Sequence, residues 1–493
     1  MPTLDRRHFL KSSALALGAG LGHRLLASTW SQPAGANEAI RVGVIGINDK
    51  GAEHIKQLLT LPGVRVVALC DVDPRTLARE VEKLKAREIT VFATTDARRL
   101  LERSDVDAVV IATSNHWHAL LTIWACQAGK HVYVEKPVSR TVWEGRKMVE
   151  AAARYNRIVQ AGTQYRSDTG WPEAIAWLQA GHLGALKYVH TICYKRRESI
   201  GRRLPWYPDW LDYDMFCGPT PMVPLERRRL DYDWHWDWRT GNGELGNNGP
   251  HVIDLARRLT GQGGLPERVM SFGGHVLVDD VATTPNTHLA VYDFGAGVPI
   301  LFEGRGLPAR PGVNYMDPFR KMSGPNGIAV ICEGGFLSGY TGSAAYDTNG
   351  KQIRRFTGDG GEAHLANFLA AVRSQRTADL AAPILTGHES TRLCHLGNIS
   401  HRVGRPATAA AARAALAEFP SALDALTDLQ RHLSVHGLDL EQHALTLGPW
   451  LQIDAAQEGI AAVEGADQET VLERARFHLK ETQRAPWVIP DVV

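Results

Sequence analysis

Between residues 40 and 162 short apolar runs alternate with amphipathic stretches, and no other feature constrains the fold as tightly. Continuous and period-two apolar patterns predict strands over 40–45, 64–70, 89–92, 106–112, 131–134 and 158–161. Helical spacing fills the gaps over 54–61, 74–86, 117–128 and 143–155. Strands separated by helices cannot pair as hairpins, so this part of the chain must build a parallel, doubly wound α/β sheet.

The first strand-to-helix turn reads Gly43-Val44-Ile45-Gly46-Ile47-Asn48-Asp49-Lys50-Gly51. Gly46 permits a tight turn and Gly51 close helix packing, while the amides from Ile47 onward offer donors to a pyrophosphate. Asn48 stands where a G-x-G-x-x-G fingerprint has its middle glycine, and asparagine tolerates left-handed backbone better than most residues. Lys50 can reach a phosphate. Asp71 ends the second strand 20 residues after Gly51, where a carboxylate accepts hydrogen bonds from ribose hydroxyls and repels a ribose phosphate. NAD is therefore expected over NADP. Helix capping is the competing role for Asp71, with Asp73 before Pro74 as the other capping candidate.

Polar groups at the carboxyl ends of strands line the ligand crevice of such sheets. Thr113, Asn115 and His118 follow 106–112 and are cofactor-contact candidates; a helix cap for Asn115 and a surface position for His118 are equally open. Glu135-Lys136-Pro137 follows the apolar run 131–134. Lys-Pro after a strand is a poor helix start and a good place for a cis peptide bond, which fixes the Lys136 ammonium in one direction. Glu135 beside it and Gln164 after the last strand complete the cofactor candidates.

The chain opens on Asp5-Arg6-Arg7-His8-Phe9-Leu10-Lys11, a mildly apolar stretch over 14–22 and Ala34-Gly35-Ala36. That is the order of a twin-arginine export signal, residues 1–36; a buried helix with two chance arginines is the alternative. Without this segment the formal charge falls from +2 to about −1, which does not attract nucleic acid. No later apolar run reaches about 18 residues, so no membrane partner is expected after signal removal. Six cysteines (Cys70, Cys126, Cys193, Cys217, Cys332, Cys394) lack metal-ligand spacing and lie mostly in apolar segments. Neither a metal nor a disulfide framework is expected. Buried thiols suit a protein that folds in a reducing cytoplasm and is exported folded, to the periplasm or beyond.

The runs 112–119, Glu135-Lys136-Pro137 and 162–167, with 193–197, 213–219 and Gly243-Glu244-Leu245-Gly246-Asn247-Asn248-Gly249-Pro250-His251 downstream, resemble the Gfo/Idh/MocA oxidoreductase family, in particular its exported twin-arginine branch. The resemblance implies an N-terminal NAD-binding Rossmann domain and a second α/β domain. It implies that the second domain's open, mostly antiparallel sheet covers the nicotinamide and, as often in the family, mediates a homo-oligomer, with a dimer or tetramer expected here. It also implies Lys136 and His251 at the reacting carbon. Many members have Asp four residues before that histidine; Asn247 stands here, which puts a carboxylate relay in doubt and leaves hydrogen-bonded orientation of His251.

Past Gly162 the strict rhythm stops. A helix is expected over 171–180 and strands over 187–194, 269–276, 287–292, 299–303 and 328–333, as a sheet with helices on one side. Helical spacing recurs over 251–259, 362–373, 389–403 and 407–418. The organisation is then an export signal (1–36), an NAD-binding domain (37–163), a substrate and oligomerisation domain (164–405) whose 389–403 helix packs on the first, and a C-terminal extension (406–493). The extension shows no identifiable chemistry and is expected to wrap the first domain or a neighbouring subunit.

Removing hydride from a secondary alcohol requires its hydroxyl proton to leave too. His251, oriented by a Gly-Pro helix entrance, accepts that proton near neutral pH. Lys136 hydrogen-bonds the same oxygen and stabilises its developing charge, or shares the proton transfer. Tyr165, Tyr194, Lys195, Arg196, Asp214 and Asn247 are orienting or substrate-binding candidates, with solvated charge the alternative for Lys195 and Arg196. The aromatic run 232–239, including Trp236, suits either stacking on a sugar ring or packing of its own loop. These groups point to hydride transfer from a ring hydroxyl such as C3 of a sugar or glycoside to a tightly held NAD. A redox-neutral glycoside hydrolase working through transient C3 oxidation is the second reading. A sugar-binding protein that retains NAD without catalysis is the third. An exported chain meets no free nicotinamide pool, so the cofactor must travel inside it and be regenerated in place.

Overall fold

The computed structural model describes residues 39–316, 326–465 and 467–493, and the expected export signal lies outside them. The first part is β1 (Ile40–Ile45), α1 (Asp49–Leu58), β2 (Val64–Cys70), α2 (Pro74–Lys85), β3 (Phe92–Thr94), α3 (Ala97–Leu101), β4 (Ala108–Ile111), α4 (Asn115–Gln127), β5 (His131–Glu135), α5 (Val142–Arg154) and β6 (Val159–Gly162). Its six strands pair in the order β3-β2-β1-β4-β5-β6, all parallel. The order reverses between β1 and β4, which opens the crevice where such sheets bind ligands. β4 reads Ala-Val-Val-Ile with every residue buried, because helices cover both faces of a central parallel strand.

Two boundaries differ from expectation. The third strand lies at Phe92–Thr94 rather than 89–92. Glu88 turns the chain at φ +61° and the Ile89 amide donates to Leu84 O, so Ile89 and Val91 pack beneath the end of α2 instead of joining the sheet. The first helix begins at Asp49, five residues before the apolar spacing that suggested it.

The second sheet uses β7 (Leu186–Tyr194), β8 (Arg268–Gly274), β9 (Thr287–Asp293), β10 (Ile300–Arg305), β11 (Asn326–Cys332), β12 (Gly335–Tyr340), β13 (Gly342–Asp347) and β14 (Gln352–Phe356), continued by the short β15 (Arg405–Ala407) and β16 (Leu445–Leu447). The order is β14-β13-β12-β11-β7-β10-β9-β8-β16-β15, and only β7 with β10 is parallel. Helices α6 (Gly170–Gln179), α9 (Gly249–Thr260) and α11 (Ile384–Arg402) pack one face around Trp171, Tyr292 and Phe302. The 19-residue α11 is buried almost all round, since it also packs on α5 and β6 of the first sheet.

Helices on one side only is therefore not what forms. Residues of α12 (Ala409–Ala415) and α13 (Pro420–Val435) bury Met270, Phe272, Val291 and Leu301 on the opposite face. β8 carried the signal: Val269-Met270-Ser271-Phe272 does not alternate, as a strand covered on both faces need not. Nor is 406–493 a mere wrapping. It supplies β16, β17 (Leu451–Asp454) and β18 (Gly459–Val463) to the second sheet, then α14 (Gln468–Lys480) and a segment that crosses to the first domain. All six cysteines are buried and free. Among the described residues no helix is long and apolar enough to cross a membrane.

Candidate cofactor and substrate site

One cavity of about 630 Å³ runs along the carboxyl ends of β1 to β5 and beneath the second domain. Its floor is the β1–α1 turn. Gly46 sits at φ +78°, and a Cβ there would come within 2.7 Å of Ala112 O; a Cβ on Gly51 would come within 1.9 Å of Gly46 O. Only glycine lets the turn approach β4 and the helix approach the turn. Asn48 is extended at φ −74° rather than left-handed; Asp49 takes the positive φ of 23° instead, and Asn48 Oδ1 accepts from Arg79. The side chain of Ile47 is buried away from the cavity, and its amide donates to Asp71 Oδ2 at 2.9 Å.

Asp71 is a cavity residue, not a cap. Its Oδ1 accepts from the Asp73 amide at 3.0 Å, while Asp73 itself caps α2 by accepting from the Arg75 amide. Burial pushes the Asp71 carboxyl up to about 6, against the two amide bonds that favour its charge. Lys50 stands on the opposite rim in a pair with Glu53 at 2.7 Å. The glycine cradle, the α1 amides, Lys50 and the Asp71 carboxylate match the donors and acceptors of a dinucleotide's pyrophosphate and ribose, so the residues present fit NAD.

At the other end the Lys136-Pro137 bond is cis. Lys136 Nζ donates to Asn247 O at 2.9 Å and Asn247 Oδ1 at 3.1 Å. Burial draws its pKa down from 10.5, partly offset by Glu135 and Glu244. Glu135 accepts from His54 at 2.8 Å and Gln164 Nε2 at 2.9 Å; the His54 bond and the charges of His54, Lys50 and Lys136 hold its carboxyl far below the usual range despite burial. His251, in the first turn of α9, packs edge-on against Tyr165 with ring centroids 5.0 Å apart. Its Nδ1 is buried without a partner among the described residues. Burial first, then the Lys136 charge, holds His251 well below 6.5, so the imidazole is neutral at pH 7.

Asn247 therefore orients Lys136 rather than His251, as the expectation from its position had it. His118 is no surface residue. It is 1% exposed, with Nδ1 2.7 Å from Pro137 O and Nε2 3.0 Å from Thr113 O, and so ties the lysine turn to the end of β4. Asn115 does not cap α4; its Nδ2 donates to Asn242 Oδ1 at 3.1 Å, and Thr113 lines the wall beside it.

Four substrate candidates fall elsewhere. Tyr194 donates to Glu303 at 2.7 Å inside the second domain, because alternation along the strand sends Lys195 into the cavity and its neighbour to the other face. Arg196 bonds Asn314, and Asp214 pairs with Arg484. Trp236 is buried beneath the Arg197 guanidinium at 4.5 Å and packs its loop. The aromatic run is divided in its work, since Tyr232, Trp234 and His235 do line the cavity. Residues that sequence reasoning missed are Trp124, Trp487 and Gly361. A Cβ on Gly361 would lie 1.9 Å from Gln164 O, and the cluster Gly358-Asp359-Gly360-Gly361 was its only trace in the sequence. Among the described residues no group of three His, Cys, Asp or Glu side chains could hold a metal ion.

Sheet order, glycine turn and Asp71 define a Rossmann domain for a dinucleotide. Residues 40–163 match the model of the Gfo/Idh/MocA oxidoreductase family, NAD-binding Rossmann fold, and this part of the chain is a domain of that kind. The chain is 30% identical over 236 residues to an α-N-acetylgalactosaminidase of Shewanella oneidensis, covering 43% of this chain and 51% of the relative. A glycosyl hydrolase family 109 protein of Shewanella pealeana is 29% identical over 233 residues, 42% of this chain and 51% of the relative. The chain thus spans about half the length of the curated relatives it matches. Among solved structures, the WlbA dehydrogenase of Bordetella pertussis, in complex with NADH and UDP-GlcNAcA, superposes with a TM-score of 0.55 at 18% identity, covering 74% of this chain and 97% of that one. The aldose-aldose oxidoreductase of Caulobacter crescentus gives 0.54 at 18% identity, covering 72% and 95%. At such identities these two likenesses speak for the fold.

Proposed function

We propose that the protein is an NAD-dependent enzyme that removes hydride from a secondary hydroxyl of a sugar or glycoside, at a ring position such as C3. The observation that carries this reading is that Lys136 and His251 line the same cavity as the Gly46 turn and Asp71. When bound, the nicotinamide supplies the hydride acceptor and donor. Neutral His251 takes the hydroxyl proton, and the Lys136 ammonium, directed by Asn247, stabilises the charge developing on the oxygen. Tyr232 and Trp234 offer aromatic faces to a sugar ring and Lys195 a donor to its hydroxyls.

The similarity to the Shewanella α-N-acetylgalactosaminidase favours a second reading. There the same oxidation at C3 acidifies the C2 hydrogen, the C1 substituent leaves, water adds, and hydride returns to C3. One experiment separates the two: purified protein with aryl glycosides and free sugars, no cofactor added, products followed by mass. Aglycone release with sugar mass otherwise unchanged sinks the simple dehydrogenase. A product lighter by two hydrogens with its glycosidic bond intact sinks the hydrolase.

Export by the twin-arginine route to the periplasm or beyond remains part of this proposal, supported by Arg6-Arg7 and by six free, buried thiols. So does a homo-oligomer. Because α13 occupies one stretch of the second sheet's outer face, the surface left for assembly is around Phe336 and Tyr346, stacked at 4.8 Å.

A further inference from the structure

The cavity extends past Asp71, away from Lys136. Strand order gives the direction: the pyrophosphate cradle lies at β1, the ribose acceptor at β2 and the catalytic lysine after β5, so the β3 side is where a bound dinucleotide places its base. That end carries the apolar side chains of Val72, Ala97, Leu121, Trp117, Trp124 and Trp487 beside Asp73 and Asp96. The three indoles form one box. Trp487 meets Trp117 edge-on at 5.3 Å and Trp124 at 6.2 Å, and Trp117 meets Trp124 at 6.1 Å.

Trp487 reaches this box from the far end of the chain. Residues 483–491 leave α14 and lie across the first domain, tied at both ends. The Arg484 amide donates to Pro219 O at 2.8 Å, its Nε to Thr220 O at 3.0 Å, and Gln483 Nε2 to Glu144 at 3.1 Å. Beyond Trp487, Lys147 donates to Asp491 O and Lys480 pairs with the Asp491 carboxylate, at 2.6 and 2.7 Å. Arg98 lies over the Trp487 ring at 5.1 Å. Trp487 is 5% exposed, yet among the described residues its indole N–H has no acceptor. A buried unpaired donor is costly, and an acceptor nitrogen on a purine edge would relieve it.

We infer that residues 483–491 are a strap that closes the base end of the cofactor site, with Trp487 as the wall and hydrogen-bond donor for adenine. Its consequence is retention, because the base cannot leave until the strap lifts. The inference rests on the NAD reading above, and the test keeps the two apart. The full chain is loaded with NADH and release is followed by NADH fluorescence after adding excess NAD, with melting temperature recorded without nucleotide. Trp487→Ala and Arg484→Ala should each release NADH about tenfold faster or more, the factor that one lost hydrogen bond to the base and its apolar cover is worth. Trp487→Phe, which keeps an apolar ring in the wall and loses the donor, should fall between. If Trp487→Ala melts too low to assay, Arg484→Ala decides. Wild-type release rates in both Trp487→Ala and Arg484→Ala overturn the strap while leaving NAD binding intact. A folded wild type that binds no NADH overturns the NAD reading, and the strap with it.

Discussion

The ammonium of Lys136 is held by Asn247 through both its main-chain oxygen at 2.9 Å and its side-chain oxygen at 3.1 Å, so one residue of the second domain aims the cation of the first. The two domains thus meet at the Lys136 ammonium. His251 follows four residues later on α9, so the turn that aims the lysine also places this imidazole.

Lys136→Ala and His251→Ala should each lower turnover by at least about 10²-fold, the usual scale for a proton-transfer or charge-stabilising group. Bound NAD, read by fluorescence and by chromatography of denatured protein, should stay. Full turnover in either variant removes that residue from the mechanism.

Asn247→Ala leaves one of the two acceptors for Lys136, the main-chain oxygen. The expected loss in kcat is about tenfold, close to one hydrogen bond's net worth of roughly 1 kcal/mol or somewhat more, with the alkaline limb of the rate profile moved. Asn247→Asp should move that limb upward, because a carboxylate beside the ammonium favours its charged form. An unmoved limb in both would show that Asn247 does not act through Lys136.

Gly46→Ala should abolish NAD binding without unfolding the chain. The added Cβ meets Ala112 O at 2.7 Å in a backbone at φ +78°, so the turn must open just where a pyrophosphate seats. Calorimetric titration with NAD checks this, and wild-type affinity would contradict the cradle.

Stability should fall as pH drops below about 6.5, before the paired carboxylates titrate, with Asp71, raised to about 6, offsetting about one of the histidines involved. Desolvation lowers His116 and His364 to about 4 and His395 to about 3, with backbone bonds opposing it at each. Their folded pKa values lie below the unfolded value of 6.5, so the unfolded chain binds more protons as pH falls. At about 1.4 kcal/mol per pH unit each such histidine costs up to roughly 3 kcal/mol by pH 4. Paired carboxylates such as Glu303, drawn down to about 2 by Arg305 and His190 despite burial, add their losses only below their unfolded value near pH 4.5. A melting temperature flat from pH 7 to 5 would refute this order.

Much of this was legible in the chain because it is local. Apolar periodicity determined the parallel sheet, the glycine turn its phosphate cradle, and strand-end residues such as Asp71, Lys136 and Gln164 their place on the crevice. A strand's direction fixes where its last side chain emerges, and that needs no knowledge of the rest of the fold. Tertiary structure alone decided the partnerships. Asn247 could have served His251 or Lys136, Tyr194 and Lys195 could each have faced the substrate, and Trp487 lies 363 residues from Trp124. Which groups meet across such separations depends on how whole layers pack, and packing is set by the summed fit of many buried side chains rather than by any motif.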